Sequence, residues 1–220
     1  MQGAPCCPRV PAAWRAALVA AALLLAGHDA FGDHVSAQRG APALADPADL
    51  AVGRLLVARR GLGDGNFGES VVLLFAYATR DGAAGLIINR RSTVPTSRVL
   101  PELPTPRGSE TMLFLGGPVS PEAVFGLLRS ARPQSASVRV LPDVALVTTA
   151  NGLDAAVDEG ATADHLRIFR GYSGWSPGQL EREVLRGDWY ITRGASHWVF
   201  DTDPAQVWRR ILRTVDVLSM

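Results

Sequence analysis

The chain has 220 residues, 47% of them hydrophobic, and a formal net charge of +1, so no global basic field draws it to nucleic acid. Every basic residue is Arg, which excludes a lysine Schiff base, a P-loop lysine and a Ser-Lys dyad. Cys6 and Cys7 both precede the first apolar run, so the body carries neither a disulfide framework nor a thiolate metal site.

Arg9 and Arg15 come before the apolar run of residues 16–26. Such a run is too short for a bilayer, which needs roughly 20 residues, and no membrane span is expected in the mature chain. Positive charge before it and polar residues after it suit the core of a signal peptide over residues 1–37. Cleavage fits after Gly32 or after Ala37, and the second is preferred because small residues occupy both key positions. The alternatives are a transit-like tail and an extension from a misassigned start codon. Residues 38–49, rich in Ala and Pro, read as a linker. Without the leader about 180 residues remain, enough to bury one core, and the domain is placed at residues 50–218.

Within the body, Leu55-Leu56-Val57-Ala58 predicts a buried strand. Residues 63–68 match G-x-G-x-x-G, but the dinucleotide reading needs a helix to open there. The β-branched and aromatic run of residues 70–77 predicts a second strand instead. Arg80-Asp81-Gly82 makes a turn, and residues 84–89 a third strand. The Pro-rich stretch 91–110 reads as a long loop with a short helix near residues 97–103. Residues 112–115 form a strand that runs into Gly116-Gly117-Pro118. There the glycines serve either a tight crossover between strands or an anion nest. Residues 123–129 are open between strand and helix. Residues 137–141 and 144–148 predict a hairpin around Pro142-Asp143, residues 153–159 a helix ended by Gly160, and residues 166–170 a strand.

The densest stretch follows at residues 171–191. Gly171 and Gly174 bracket a predicted turn. Ser176, Pro177 and Gln179 occupy N-cap, N1 and N3 of a capping box, for a helix over residues 177–186 closed by Gly187 at C′. Residues 188–192 then read as a strand. The stretch is either a structural corner or a pocket wall presenting Tyr172 and Trp175. Residues 197–200 predict another strand. Asp203 and Pro204 open a last helix that buries Val207, Ile211 and Val215, with Trp208 and Leu212. Strands outnumber helices and most connections are short. The fold expected is α+β: one domain with a mixed, mostly antiparallel, strongly coiled sheet flanked by a few helices.

Five motifs in order, NFGESVVLLF (66–75), GAAGLIINR (82–90), LFLGGPV (113–119), GYSGWSPGQLEREV (171–184) and VFDTDPAQVWRRIL (199–212), resemble the YqgE/AlgH family. The resemblance covers roughly residues 50–215. It implies the same fold, a strand around residues 124–128, and a regulatory role, since one branch is named for control of alginate production. It also implies a cytosolic location, which the exported-looking leader departs from. A second departure is Arg60, near which the family usually carries Pro.

For chemistry, His165 beside Asp164 and His197 between Ser196 and Trp198 lack metal-ligand spacing and read as polar edge residues. Glu181 and Glu183, two apart on a helix, face different ways. G-x-S-x-G, H-E-x-x-H and Walker patterns are absent from the sequence, so no catalytic residue, metal or cofactor is assigned. Arginines cluster at Arg59-Arg60, at Arg90-Arg91, and at Arg209-Arg210 with Arg213. The first two pairs lie near loops where they can converge on an anion. Strand-end loops are where sites are commonly built, so the candidate ligand-binding residues are Asn66, Phe67, Asn89, Arg90, Gly116 and Gly117, with Trp175 as a neighbour. The expectation is a non-enzymatic binding or regulatory protein with an unidentified small-molecule or protein partner. A hydrolase or transferase at the same loops is the alternative. Direct DNA binding is disfavoured, because the last helix spends Trp208 and Ile211 on the core.

Overall fold

The computed structural model describes residues 45–63, 65–102, 111–130 and 137–217. The leader and most of the linker lie outside the described residues.

Among the described residues, ten strands form one sheet: β1 (Arg54–Ala58), β2 (Val71–Ala78), β3 (Gly82–Ile87), β4 (Arg91–Pro95), β5 (Met112–Leu115), β6 (Val119–Arg129), β7 (Ser137–Leu141), β8 (Val144–Val147), β9 (Leu166–Trp175) and β10 (Trp189–Arg193). Its main order is β10-β1-β2-β3-β9-β6-β8-β7, with β5 joining β4 to β9. The β5–β9 pair is parallel and the other pairs are antiparallel. Helices α1 (Thr96–Val99), α2 (Ala150–Asp158), α3 (Gln179–Arg186), α4 (Ser196–Val199) and α5 (Pro204–Val217) flank it. This is the expected α+β class with a curled, mostly antiparallel sheet.

β1 is buried on both faces from Leu55 to Ala58, as its unbroken apolar run requires. One core lies under α3, where Leu180 and Val184 meet Leu56, Val72, Ile87, Trp175 and Trp189. A second lies under α2, where Leu153, Ala156 and Val157 meet Leu128, Val147 and Leu166. The i, i+4 pair of α3 and the i, i+3, i+4 set of α2 are the stripes a sheet-packed helix needs.

β9 organises the sheet. Residues 166–170 pair with β6, and Ser173, Gly174 and Trp175 pair with β3. The predicted turn at Gly171–Gly174 is therefore a bend within one strand. Gly171 has φ 65°, and a Cβ there would lie 2.5 Å from the Gly117 carbonyl oxygen. The glycine permits close approach of two backbones instead of a reversal.

Other boundaries moved for physical reasons. The helix after Trp175 begins at Gln179, with Gly178 in the left-handed conformation (φ 72°) at its N-cap. Half of the expected capping box survives: the Ser176 amide donates to Gln179 Oε1 at 3.1 Å. At the other end Gly187 (φ 86°) closes a Schellman turn, its amide reaching Val184 O and the Asp188 amide reaching Glu183 O. The stretch after Asn89, expected as loop, opens with β4 because Arg91 and Pro95 pair with Phe114 and Met112 of β5. The open segment 123–129 is part of the eleven-residue β6. Residues 197–200, expected as strand, lie instead in and just after α4, a single helical turn. Packing overrides their β propensity: Val199 and Phe200 are buried, and Arg129 holds the turn by donating to Ser196 O at 3.3 Å.

Candidate functional site

Asn89 follows β3 and faces the loop that enters β2. Its Oδ1 accepts from the Val71 amide at 2.8 Å, and its Nδ2 donates to Glu69 O at 2.9 Å. Glu69 is held at φ 54°, a conformation rare for a residue with a Cβ. Next along the chain, Arg90 Nη1 donates to Asn66 O at 2.7 Å. Two consecutive side chains thus tie both ends of residues 66–69 to the sheet.

Phe67 anchors the middle of that loop. Its ring stacks on Trp175 at 5.6 Å and meets the edge of Trp189 at 5.4 Å. The two indoles are themselves edge-to-face at 6.1 Å. Glu183 Oε2 accepts from both indole N–H groups, at 2.8 Å from Trp175 and 2.9 Å from Trp189, while Gln179 Nε2 donates to Oε1 at 3.0 Å. Glu183 therefore turns inward. Glu181 turns the other way and accepts from the Tyr77 hydroxyl at 2.9 Å. Partial burial and that hydrogen bond raise the Tyr77 pKa above 10.0.

Of the seven predicted residues, Asn66, Phe67, Asn89, Arg90 and Trp175 converge on this loop. Gly116 and Gly117 do not. They lie on the other side of β3, where Gly116 O accepts from Ile87 N–H at 2.9 Å and from Ser173 Oγ at 3.1 Å. The Gly116 amide donates to Arg170 O at 2.8 Å. A Cβ on Gly117 would lie 2.3 Å from the Tyr172 carbonyl carbon. The glycines serve a tight crossing of β9, one of the two roles their sequence allowed.

The arginine pairs sort differently from their sequence proximity. Arg59 and Arg60 extend past β1 and meet Arg209 and Arg213 of α5 around a cleft of about 490 Å³, with Glu69 and Trp208 also on its wall. Arg90 and Arg91 do not line it. Arg209 and Arg213 are four apart on one helix, the signal that identified one face. Arg59 and Arg60 stood out as a pair, but nothing in the sequence placed them opposite that face.

Elsewhere Arg167 and Arg129 bind the segment around α4 to the sheet. The Arg167 guanidinium donates to Asp201 O and lies 4.7 Å over the Phe114 ring, and that of Arg129 lies 4.6 Å over Phe200. Burial, helped by the nearby charges of Arg91 and Arg129 and opposed by Asp201, lowers the Arg167 pKa to about 10. His165 Nδ1 sits 2.8 Å from Thr162 Oγ1, and His197 packs on Trp198. Among the described residues no three His, Cys, Asp or Glu side chains cluster as metal ligands, and no helix is long and apolar enough to cross a membrane.

An α+β protein with a curled, β9-centred sheet and a pinned loop beside an arginine-lined cleft is the class these features define. The AlgH-like family model, DUF179, matches residues 55–219, and the chain belongs to that family. A UPF0301 protein of Streptomyces avermitilis is 38% identical over 170 residues, covering 73% of this chain and 84% of the relative. One from Cytophaga hutchinsonii is 36% identical over 168 residues, covering 76% and 90%. The solution structure of AlgH from Pseudomonas aeruginosa is similar with TM-score 0.61 and 28% identity over 76% of this chain and 88% of that one. A crystal structure from Corynebacterium diphtheriae gives TM-score 0.64 and 25% identity over 78% and 92%.

Proposed function

We propose that this AlgH-like chain is a non-enzymatic binding protein with a regulatory role, and that it recognises its partner with the loop of residues 65–69. One observation carries this reading: the loop is exposed at Gly65, Asn66, Gly68 and Glu69 yet fixed from beneath by Phe67, Asn89 and Arg90. A fixed, exposed loop loses little conformational entropy on binding. The hydrolase or transferase reading gains nothing from Asn89, whose amide is committed at both ends to backbone groups. Export through the N-terminal leader belongs to the same proposal, motivated by the apolar core of residues 16–26. Mass spectrometry of the mature N-terminus checks that part, and an intact Met1 overturns it.

The test is a thermal-shift screen over metabolites and peptides, followed by mass spectrometry of each hit after prolonged incubation. The expected result is a saturable rise in melting temperature with the ligand recovered unchanged. A compound converted in molar excess over the protein overturns the reading.

A further inference from the structure

We infer that the cleft between the end of β1 and α5 binds a small molecule carrying a di- or oligophosphate group. This rests on the reading of the chain as a binding protein and names the ligand chemistry.

Among the described residues, Arg59 and Arg60 line the cleft from one side and Arg209 and Arg213 from the other, with the carboxylate of Glu69 also on its wall. The whole chain carries only +1, so this is local clustering and no by-product of a basic protein. Bringing Arg59, Arg209 and Arg213 around one space costs repulsion that a bound anion relieves.

The arginines are also supported. The Arg59 guanidinium lies over the Tyr190 ring at 4.3 Å, and its Nε is buried with no hydrogen-bond partner among the described residues. Arg60 lies 5.8 Å from the centre of the Trp208 ring. Trp208 is itself fixed by donating to Ala58 O at 2.7 Å, which sets α5 against the end of β1. Arg213 Nε reaches Arg209 O at 3.4 Å, leaning along the helix. Planar guanidinium groups held on aromatic faces are suited to bidentate recognition of phosphate oxygens.

Size and shape select a small molecule over nucleic acid. A volume of about 490 Å³ is that of a ligand site. The helix that supplies two of the arginines buries Val207, Trp208, Ile211 and Leu212 and is packed against the sheet. It is not placed to enter a groove. Several arginines on opposite walls fit adjoining phosphates better than one carboxylate, because each phosphate brings more charge and more acceptor oxygens.

The test uses the full chain and calorimetric titration with inorganic pyrophosphate, tripolyphosphate, citrate and a single-stranded oligonucleotide. Variants are Arg209→Ala/Arg213→Ala, both exposed, and Arg59→Lys, which keeps the charge and loses the fork. The expected result is saturable binding of the two phosphates, weakened about tenfold or more in the double alanine variant. Arg59→Lys should also weaken binding, with melting temperatures unchanged in the absence of ligand. Citrate binding as tightly as pyrophosphate overturns the phosphate assignment. Preferred, steeply salt-dependent oligonucleotide binding overturns the small-molecule assignment. Unchanged phosphate affinity in the variants, or no phosphate binding at all, overturns the site. A neutral ligand found in the metabolite screen then leaves the broader binding reading intact. Release of orthophosphate from pyrophosphate sinks that broader reading while the arginine cleft stands.

Discussion

Trp208 Nε1 donates to the Ala58 carbonyl at 2.7 Å, a buried hydrogen bond across 150 residues of sequence. It joins the last helix to the first strand and brings Arg209 and Arg213 opposite Arg59 and Arg60. Trp208→Phe keeps most of the apolar surface and removes the donor, leaving the carbonyl unpaired. The expected cost is about 1–2 kcal/mol, read as a lower urea midpoint with an unchanged slope.

Asn89 satisfies one buried amide and one carbonyl. In Asn89→Ala the Val71 N–H loses its partner, and the cost should reach about 1–3 kcal/mol. Asn89→Asp keeps an acceptor for Val71 and gives up the donation to Glu69 O. Hydrogen exchange should therefore show the Val71 amide exposed in the alanine variant and still protected in the aspartate variant. Equal exchange in both would remove Asn89 as the clamp.

Glu183 receives two indole N–H groups on one oxygen. Glu183→Leu leaves both without acceptor and should destabilise by roughly 2–3 kcal/mol, with a clear change in tryptophan emission. Glu183→Gln retains an acceptor oxygen and should lose less than half as much. If the two variants match, packing and not hydrogen bonding explains the residue.

Tyr77 predicts a loss of stability in alkali. Its folded pKa is raised above 10.0 by partial burial and by the hydrogen bond to Glu181. Above pH 10 the unfolded chain releases this proton first, so stability present below that pH is lost as pH rises through the folded value. Arg167 runs the opposite way, because its folded pKa is lowered to about 10 and the unfolded chain keeps its proton to higher pH. Comparing wild type with Tyr77→Phe cancels the arginine. The variant's urea midpoint should fall less between about pH 9 and 11.

Much of the fold was legible in the sequence because local patterns and tertiary packing agree. The buried run Leu55–Ala58, the hairpin at Pro142-Asp143, Gly187 as helix terminator and Pro204 at the start of the last helix each follow from periodicity or turn chemistry. Where they disagree, packing wins. His197-Trp198-Val199 has strand propensity, but Arg129 and a buried Val199 hold it as a helical turn. Gly171 and Gly174 have turn composition, but pairing on both sides draws them into β9.

The candidate residues divide in the same way. Asn66, Phe67, Asn89, Arg90 and Trp175 were singled out one by one from strand ends and glycine-rich turns, and they do meet. Their hydrogen bonds and ring contacts are invisible in sequence, as are the Glu183 link to two tryptophans and the cleft itself.

The sequence alone determined most of the elements, the α+β class and the family, because those depend on patterns within one or two turns or strands. Only the tertiary structure decided which distant side chains share a space. Arg59 faces Arg209 and Arg213 because β1 and α5 pack together, and packing between elements 150 residues apart leaves no periodic trace in the chain.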